Sequence, residues 1–391
     1  MFIKRTIEKL VRSGAKQIPV LAIIGPRQSG KSTLVKALFP NYIYLDMQDA
    51  ALNAYALSDP KGFLHDYRDA EGVIFDEAQY APTLFAQIKV EVDKDPRPGR
   101  YILSGSQNFL LHEKINESLA GRVYFYRLLP LSIPELLTAQ LLLDRIEEQI
   151  CKGFYPRVYQ PHVQQQEYYE NYIVTYVERD IRTVKNIDNI LTFKKFMQLC
   201  ALRIGSTLNL TDIATNCGIS VATVRAWLSL LEACFIIFLL PSYHENLGKR
   251  ITKSPKLYFY DVGLATTLMN LTIETLIKKR DIYGGLFENM VIVDLMKQFY
   301  AQGIRHTLSF FRDTNNNEID LIIETGGEVI PLEIKASETI KQDFFETPLW
   351  FQSQITDAVA PIVVYGGSQQ QTRSYGRVIS WKSLDRVYTK L

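Results

Sequence analysis

From residue 318 to 337 the chain reads EIDLIIETGGEVIPLEIKAS, with isoleucine and leucine alternating with polar residues on both sides of a TGGE turn. Period-two alternation around a turn predicts a β-hairpin. With residues 325–328 as its loop, Glu324 faces Val329, Ile322 faces Pro331 and Asp320 faces Glu333. Ile319, Leu321 and Ile323 then share an apolar side with Ile330, Leu332 and Ile334. IPVLAII (18–24) is continuously apolar, as expected of a parallel strand covered on both faces. GVIFDEAQ (72–79) and RYILSGS (100–106) predict two more strands. LNLTDIATNCGISVATVRAWLSLLEACFI (208–236) has helix–turn–helix grammar. Ile213 and Ala214 lie on the first helix, a turn falls at Gly218, and Ser220 caps a second helix that buries Val224, Trp227, Leu228 and Leu231. The run WLSLLEACFIIFLLP (227–241) contains Glu232 and has 15 residues, fewer than the roughly 20 of a membrane span. It predicts a buried helix running into a strand.

A chain of 391 residues suits two or three domains of about 100–200 residues each. Its 47% apolar and 22% charged content is that of a globular protein, and a net charge of +2 provides no global basic field for nucleic acid. Cys151, Cys200, Cys217 and Cys234 form no CxxC pair, which predicts reduced thiols and a cytoplasmic location. Lys4, Arg5, Glu8 and Lys9 interrupt any secretory leader, and no membrane association is expected.

Chemistry enters with GPRQSGKST, directly after the first strand. Gly25, Pro26, Arg27, Gln28, Ser29, Gly30, Lys31 and Ser32 satisfy G-x-x-x-x-G-K-[ST], and Thr33 follows as a further nucleotide-binding residue. Its backbone N–H groups and the following helix N-terminus cradle phosphates. Lys31 is expected on the β/γ-phosphates of ATP and Ser32 on Mg²⁺. Asp76, ending the second strand about 45 residues further on, is expected to hold the magnesium shell, and Glu77 to orient the attacking water. Ser104, Ser106 or Asn108 is placed to sense the γ-phosphate, with strand capping as the plainer role. Arg122, at a helix end before another strand, is a candidate to stabilise transition-state charge at a neighbouring subunit's γ-phosphate. Its plainer role is pairing with the helix dipole.

GPRQSGKST, VIFDEAQ, YILSGS and SLAGR together resemble the AAA_14 group of prokaryotic AAA-type ATPases, whose members carry a C-terminal DUF4143 domain. GFYPRV (153–158), YVERDI (176–181) and KSPKLYFYDVGLA (253–265) also look like that family. The resemblance implies ATP binding, ATP hydrolysis and a homo-oligomeric ring or partial ring, a hexamer among its forms. It supplies no substrate. The expected fold is α/β: a P-loop AAA-type domain with a parallel sheet over 1–140, a helical and winged-helix region over 141–250, and a restriction-endonuclease-like domain over 251–391.

In the middle region the exposed face of the second helix offers Thr223, Arg225, Ala226 and Ser229, thin equipment for reading DNA. A packing module is the alternative. Lys249, Arg250, Lys253 and Lys256 could bind phosphates or form a solvated loop.

In the hairpin, Asp320 opposite Glu333 puts two carboxylates about 5 Å apart, with Lys335 beside them. A divalent cation, Mg²⁺ or Mn²⁺, removes their repulsion. D…ExK resembles the PD-(D/E)xK nuclease core, although Ile319 stands where that pattern prefers proline. Glu288 begins the stripe Glu288, Ile292, Leu295 and Phe299 on an upstream helix. The resemblance implies that Asp320 and Glu333 hold the metal, Lys335 orients or activates water, and Glu288 assists in phosphodiester hydrolysis. A surface salt-bridge cluster is the plainer reading. SETIKQDFFETP (337–348) is net acidic, which is unlike a polyanion-binding surface. Two functions follow as expectations: an ATPase coupled to a nuclease-like domain acting on DNA or RNA, or an ATP-gated regulatory protein with a non-cleaving platform.

Overall fold

The computed structural model describes residues 2–106, 115, 117–177, 190–244, 254–304, 306–315 and 317–388. The apolar runs of the first third form a sheet of five strands: β1 (Val20–Ile24), β2 (Ile43–Asp46), β3 (Val73–Asp76), β4 (Tyr101–Gly105) and β5 (Val123–Arg127). Their order is β2-β3-β4-β1-β5, and each neighbouring pair is parallel. Alternate residues of β1 enter different cores. Leu21 and Ile23 pack with Leu34, Val35 and Leu38 of the helix Lys31–Leu38, whereas Val20, Ala22 and Ile24 face the main core. Burial on both sides accounts for the unbroken apolar run.

Parallel strands bring their carboxyl ends to one edge of the sheet, where an α/β fold binds its ligand. The GPRQSGKST loop leaves β1 there, and Asp76 and Ser106 end at the same edge. Arg122 lies at the other edge, its carbonyl accepting a hydrogen bond from Val20 N at 3.2 Å.

In the middle region the helix Leu210–Cys217 is capped by Asn209 and ends at Gly218 (φ 69°). Ser220 caps the helix Val221–Ala233, which buries Val224, Trp227, Leu228 and Leu231 at the spacing expected. Trp227 packs edge-on against Phe193 and Phe196. The chain then enters β6 (Ile237–Leu240), which pairs antiparallel with β7 (Lys256–Phe259). This pair straddles the expected division at 250/251. Asn108, residues 178–181 of YVERDI, and Lys249, Arg250 and Lys253 of the basic run lie outside the described residues. Lys256 is described, and it is no solvated loop residue: it is only 2% exposed.

The last third is a helix, Arg280–Gln302, packed on a sheet of order β12-β13-β11-β10-β9-β8. Its strands are β8 (Thr307–Arg312), β9 (Glu318–Thr325), β10 (Glu328–Lys335), β11 (Ile362–Tyr365), β12 (Gln371–Arg373) and β13 (Gly376–Ser380). β11 is parallel to β10 and β13, and the other pairs are antiparallel, so the sheet is mixed. In the hairpin Glu324 pairs with Val329 and Ile322 with Pro331, as the alternation predicts. The loop is shorter than expected. Strand pairing continues through Thr325 and Glu328 and leaves a two-residue turn, Gly326–Gly327, in which both φ angles are positive.

The apolar side differs from expectation at one residue. Ser309 pairs with Ile322 but Phe311 pairs with Ile319, so Asp320 and Leu321 together oppose Phe310 in a β-bulge. A bulge breaks the two-residue alternation. Ile319 therefore packs with Ile322, Val329, Tyr243 and Phe351, while Leu321 and Ile323 stay in the main core. No described helix is long and apolar enough to cross a membrane, and the four cysteines form no disulfide.

Candidate functional site

The loop after β1 is shaped for close backbone approach. A Cβ on Gly25 would lie 2.1 Å from the Leu128 carbonyl oxygen, so only glycine fits there. Gly30 (φ 96°) turns the chain into the helix Lys31–Leu38, and Gln28 also has a positive φ. Lys31 Nζ donates to the carbonyls of Gly25 (3.0 Å) and Pro26 (2.8 Å). Arg27, Gln28, Lys31, Ser32, Asp76 and Glu77 line a cleft of about 710 Å³ that also takes in Gly30 and Thr33. Ser29, within the loop, is fully buried.

Asp76 is the hub of this edge. Its Oδ2 accepts from Ser32 Oγ at 2.5 Å and from the Tyr44 hydroxyl, and its Oδ1 accepts from Ser104 Oγ. Burial pushes its carboxyl up. The hydrogen bonds from Ser104, Ser32 and Tyr44, with the charge of Lys31, outweigh that and hold it below the ordinary carboxylate range. The Tyr44 hydroxyl is raised by burial and by the same bond. Glu77 adopts a left-handed backbone (φ 49°), and its Oε2 accepts from Ser106 Oγ at 2.9 Å and from Gln79. Of the expected sensors, Ser106 therefore meets Glu77 and Ser104 meets Asp76. Arg122, at the far edge, pairs with Asp93 and donates to the Ala120 carbonyl at 3.0 Å.

Two contributors were not anticipated from sequence. Tyr44 stands on β2, in a short alternating stretch with no motif. Arg5 is buried under the loop and donates to the carbonyls of Ser29 (2.8 Å) and Leu129 (2.6 Å), with its Nε 3.1 Å from Glu135 Oε2. Nearby, Lys297 of the long helix donates to the Leu131 carbonyl at 2.8 Å, and Asp294 accepts from Ile133 N at 2.7 Å. The strand-to-helix segment behind the loop is thus held from two directions.

The second cluster lies where the hairpin meets the long helix. Asp320 (9% exposed) accepts from Ile334 N at 2.8 Å, just beyond the last paired residues, Leu321 and Leu332. Lys335 Nζ contacts Glu333 and lies 3.9 Å from Asp320 Oδ2. Glu333 Oε2 is buried with no hydrogen-bond partner. Burial, then the charge of Asp320, push both Glu333 and Glu288 above the ordinary carboxylate range. Glu288 is turned elsewhere: its Oε1 accepts from Lys256 Nζ at 3.1 Å and from the Tyr258 hydroxyl. Asp320, Glu333 and Lys335 are therefore in contact, while Glu288 is engaged by β7. Among the described residues, no group of three or more His, Cys, Asp or Glu side chains is arranged to hold a metal ion.

A further cavity of about 960 Å³ follows the outer edge of β5, lined by Tyr124, Tyr126, Phe238, Tyr260 and His306. None of its described lining residues is a carboxylate, so it holds no acid to ligate a metal, and Arg127 is among its lining residues.

Residues 17–137 match the AAA_14 model, an AAA domain. Residues 143–275 and 283–384 match two domains of unknown function, DUF8612 and DUF4143. An uncharacterised protein of Mycobacterium tuberculosis is 26% identical over 339 residues, covering 86% of this chain and 74% of its own length. An uncharacterised protein of Haemophilus influenzae is 23% identical, covering 93% and 94% respectively. Among solved structures, a Walker-type ATPase of Pyrococcus abyssi has a TM-score of 0.46 at 17% identity, over 68% of this chain and 96% of that one. The RuvB Holliday junction branch migration motor of Thermotoga maritima has a TM-score of 0.30 at 14% identity, over 59% and 88%. The chain thus carries a P-loop AAA domain, ATPase-like in fold, ahead of a C-terminal DUF4143 region.

Proposed function

We propose that this chain is an Mg-ATP-dependent ATPase whose C-terminal nuclease-like domain engages nucleic acid. The observation that carries the ATPase reading is the 2.5 Å contact of Ser32 with Asp76 beside Lys31, at the carboxyl edge of a parallel sheet. A hydroxyl and a carboxylate kept ionised are a donor set that fits Mg²⁺. When bound, Mg²⁺ supplies charge neutralisation on the β- and γ-phosphates. The chain's own parts do the rest. The backbone from Gly25 to Thr33 encloses the phosphates, and Lys31 exchanges the Gly25 and Pro26 carbonyls for phosphate oxygens. Glu77, steadied by Ser106, orients the attacking water.

Arg122 lies at the opposite edge from its own phosphate loop, so in this reading it serves the nucleotide of a neighbouring copy. That supports a homo-oligomeric ring, a hexamer among its forms. Lys31→Ala tests the core assignment: ATP affinity should fall at least ten-fold, and unchanged binding would overturn it.

For the C-terminal domain there are two forms of the reading. In the cleaving form Asp320 and Glu333 hold Mg²⁺ or Mn²⁺, Lys335 orients water and Glu288 assists. The orphaned Glu333 Oε2 fits that form, but the three carboxylates do not fit it as a set, because Lys256 and Tyr258 occupy Glu288. That occupation favours the non-cleaving form, a platform for DNA or RNA. Incubation with plasmid, Mg²⁺ or Mn²⁺ and ATP separates the two: nicking that vanishes in Lys335→Ala supports cleavage, and intact DNA with continued ATP turnover supports the platform. The helix–turn–helix and the β6–β7 pair support a winged-helix module, with Arg225 as the cation of its exposed face. As β7 belongs with β6, we place the boundary of the C-terminal domain just before the long helix, near residue 280. Cysteines without disulfides fit a cytoplasmic protein.

A further inference from the structure

Lys256 begins β7, opposite Leu240 of β6, and its side chain leaves that two-stranded sheet for the acid cluster. Its Nζ lies 3.1 Å from Glu288 Oε1 and 2.6 Å from Glu318 Oε1. Tyr258, two residues on and so on the same face of the strand, donates to the same Glu288 oxygen. On the opposite side of the cluster, Lys335 serves Glu333 and Asp320. Four carboxylates are thus answered chiefly by two lysines, with Arg312 3.6 Å from Glu318 as an outer partner.

These contacts divide the cluster into two halves. A carboxylate oxygen has two acceptor sites, and those of Glu288 Oε1 are taken by Lys256 and Tyr258. An ammonium group at that oxygen also repels any dication brought beside it. In the other half, Glu333 Oε2 is buried and unpartnered, although Glu333 is only 7% exposed. One oxygen of Glu288 is held by a cation of the chain itself, whereas Glu333 presents a buried, unpartnered oxygen.

We infer that Lys256 is the resident counter-ion of this cluster, holding Glu288 in place of a divalent cation, so that the folded C-terminal centre takes Mg²⁺ or Mn²⁺ only when Lys256 withdraws, an inference that rests on the proposed metal-holding role of Asp320 and Glu333. The lysine belongs to the strand pair that follows the helix–turn–helix, whereas Asp320 and Glu333 belong to the C-terminal sheet. Metal entry is therefore tied to how those two elements meet.

The test uses the full chain in an Asp76→Asn background, which removes the carboxylate of the phosphate-loop site. Binding of Mn²⁺ is followed by the electron paramagnetic resonance signal of free Mn²⁺. The parent should show no saturable site from the C-terminal centre. Lys256→Met should gain one, at least ten-fold tighter than any parent binding, and lose it again when Asp320→Asn or Glu333→Gln is added. Lys256→Arg, which keeps the charge, should stay like the parent. Lys256→Gln keeps a donor for Glu288 without the charge and should gain the site even if Lys256→Met fails to fold. Stoichiometric Mn²⁺ binding by the parent that disappears in Glu333→Gln would overturn the inference, as would folded Lys256→Gln that gains nothing. Plasmid nicking is read separately: a gained site without nicking leaves Lys256 in its role and removes only the cleaving form of the function.

Discussion

Tyr44 donates its hydroxyl to Asp76 across the β2–β3 boundary, onto the same carboxylate oxygen that receives the Ser32 hydroxyl. A strand without any nucleotide motif thereby fixes the acid on which the phosphate edge depends. Tyr44→Phe deletes one bond to a charged acceptor and leaves the ring over Lys36, whose Nζ lies 3.5 Å from its centroid. The half-buried setting limits the cost to about 1 kcal/mol in a urea unfolding titration. ATP turnover should fall more than nucleotide affinity, because the bond positions Asp76 and does not touch the base or sugar.

Glu77 is held by Ser106 and Gln79 beside the phosphate cleft. Glu77→Gln keeps the shape and removes the charge that orients water. Steady-state phosphate release should drop at least about 100-fold, while ATP affinity, followed by a fluorescent analogue, stays within a few-fold of the parent. A parallel loss of affinity would place Glu77 in binding instead.

Arg122→Ala should bind ATP normally and lose turnover. In mixtures with wild-type chains the inhibition should be steeper than the mutant fraction, since each substituted copy disables a neighbour. Activity that declines in strict proportion would mean that each chain works alone.

Asp294 gives a pH signature. Burial, partly offset by Lys297 and by hydrogen bonds from Ile133 N and Gln298, raises its carboxyl to about 6 from an ordinary 3.8. The folded chain therefore holds a proton that the unfolded chain has released across that interval. Stability from this group is full below about pH 4 and declines as the pH climbs through 6. Asp294→Asn keeps the acceptor for Ile133 and lacks this slope. Melting temperatures measured from pH 4 to 7 should show the variant gaining on the parent as the pH rises. A constant difference would mean that Asp294 is charged in both states throughout.

The parts legible in sequence were those specified by neighbours along the chain. GPRQSGKST, the apolar strands beside it and the helix–turn–helix each carry their own periodicity and caps, and the hairpin register followed from alternation around the TGGE turn as far as Leu321–Leu332. What escaped depends on distant partners. Arg5 looks like any N-terminal cation until Ser29 and Glu135 close around it. Tyr44 has no signal because its role is set by Asp76 on another strand. The bulge at Asp320 and Leu321 is a mismatch with β8, invisible from β9 alone, and it moved Ile319 to the other core. Lys256 was grouped with a basic loop because its partner Glu288 lies 32 residues away on the long helix.

The helix Arg280–Gln302 has a use beyond packing. Glu288 and Lys297 are nine residues apart on it, about 13 Å along the axis. Lys297 is anchored behind the phosphate loop, and Glu288 is gripped by β7. A stiff rod pinned at one end acts as a lever: a swing of about 5° there carries the other end through about 1 Å, enough to lengthen the Lys256 contact past hydrogen-bonding reach. By geometry alone, a small tilt of this helix about Lys297 is enough to open the Lys256–Glu288 contact without any loop having to refold.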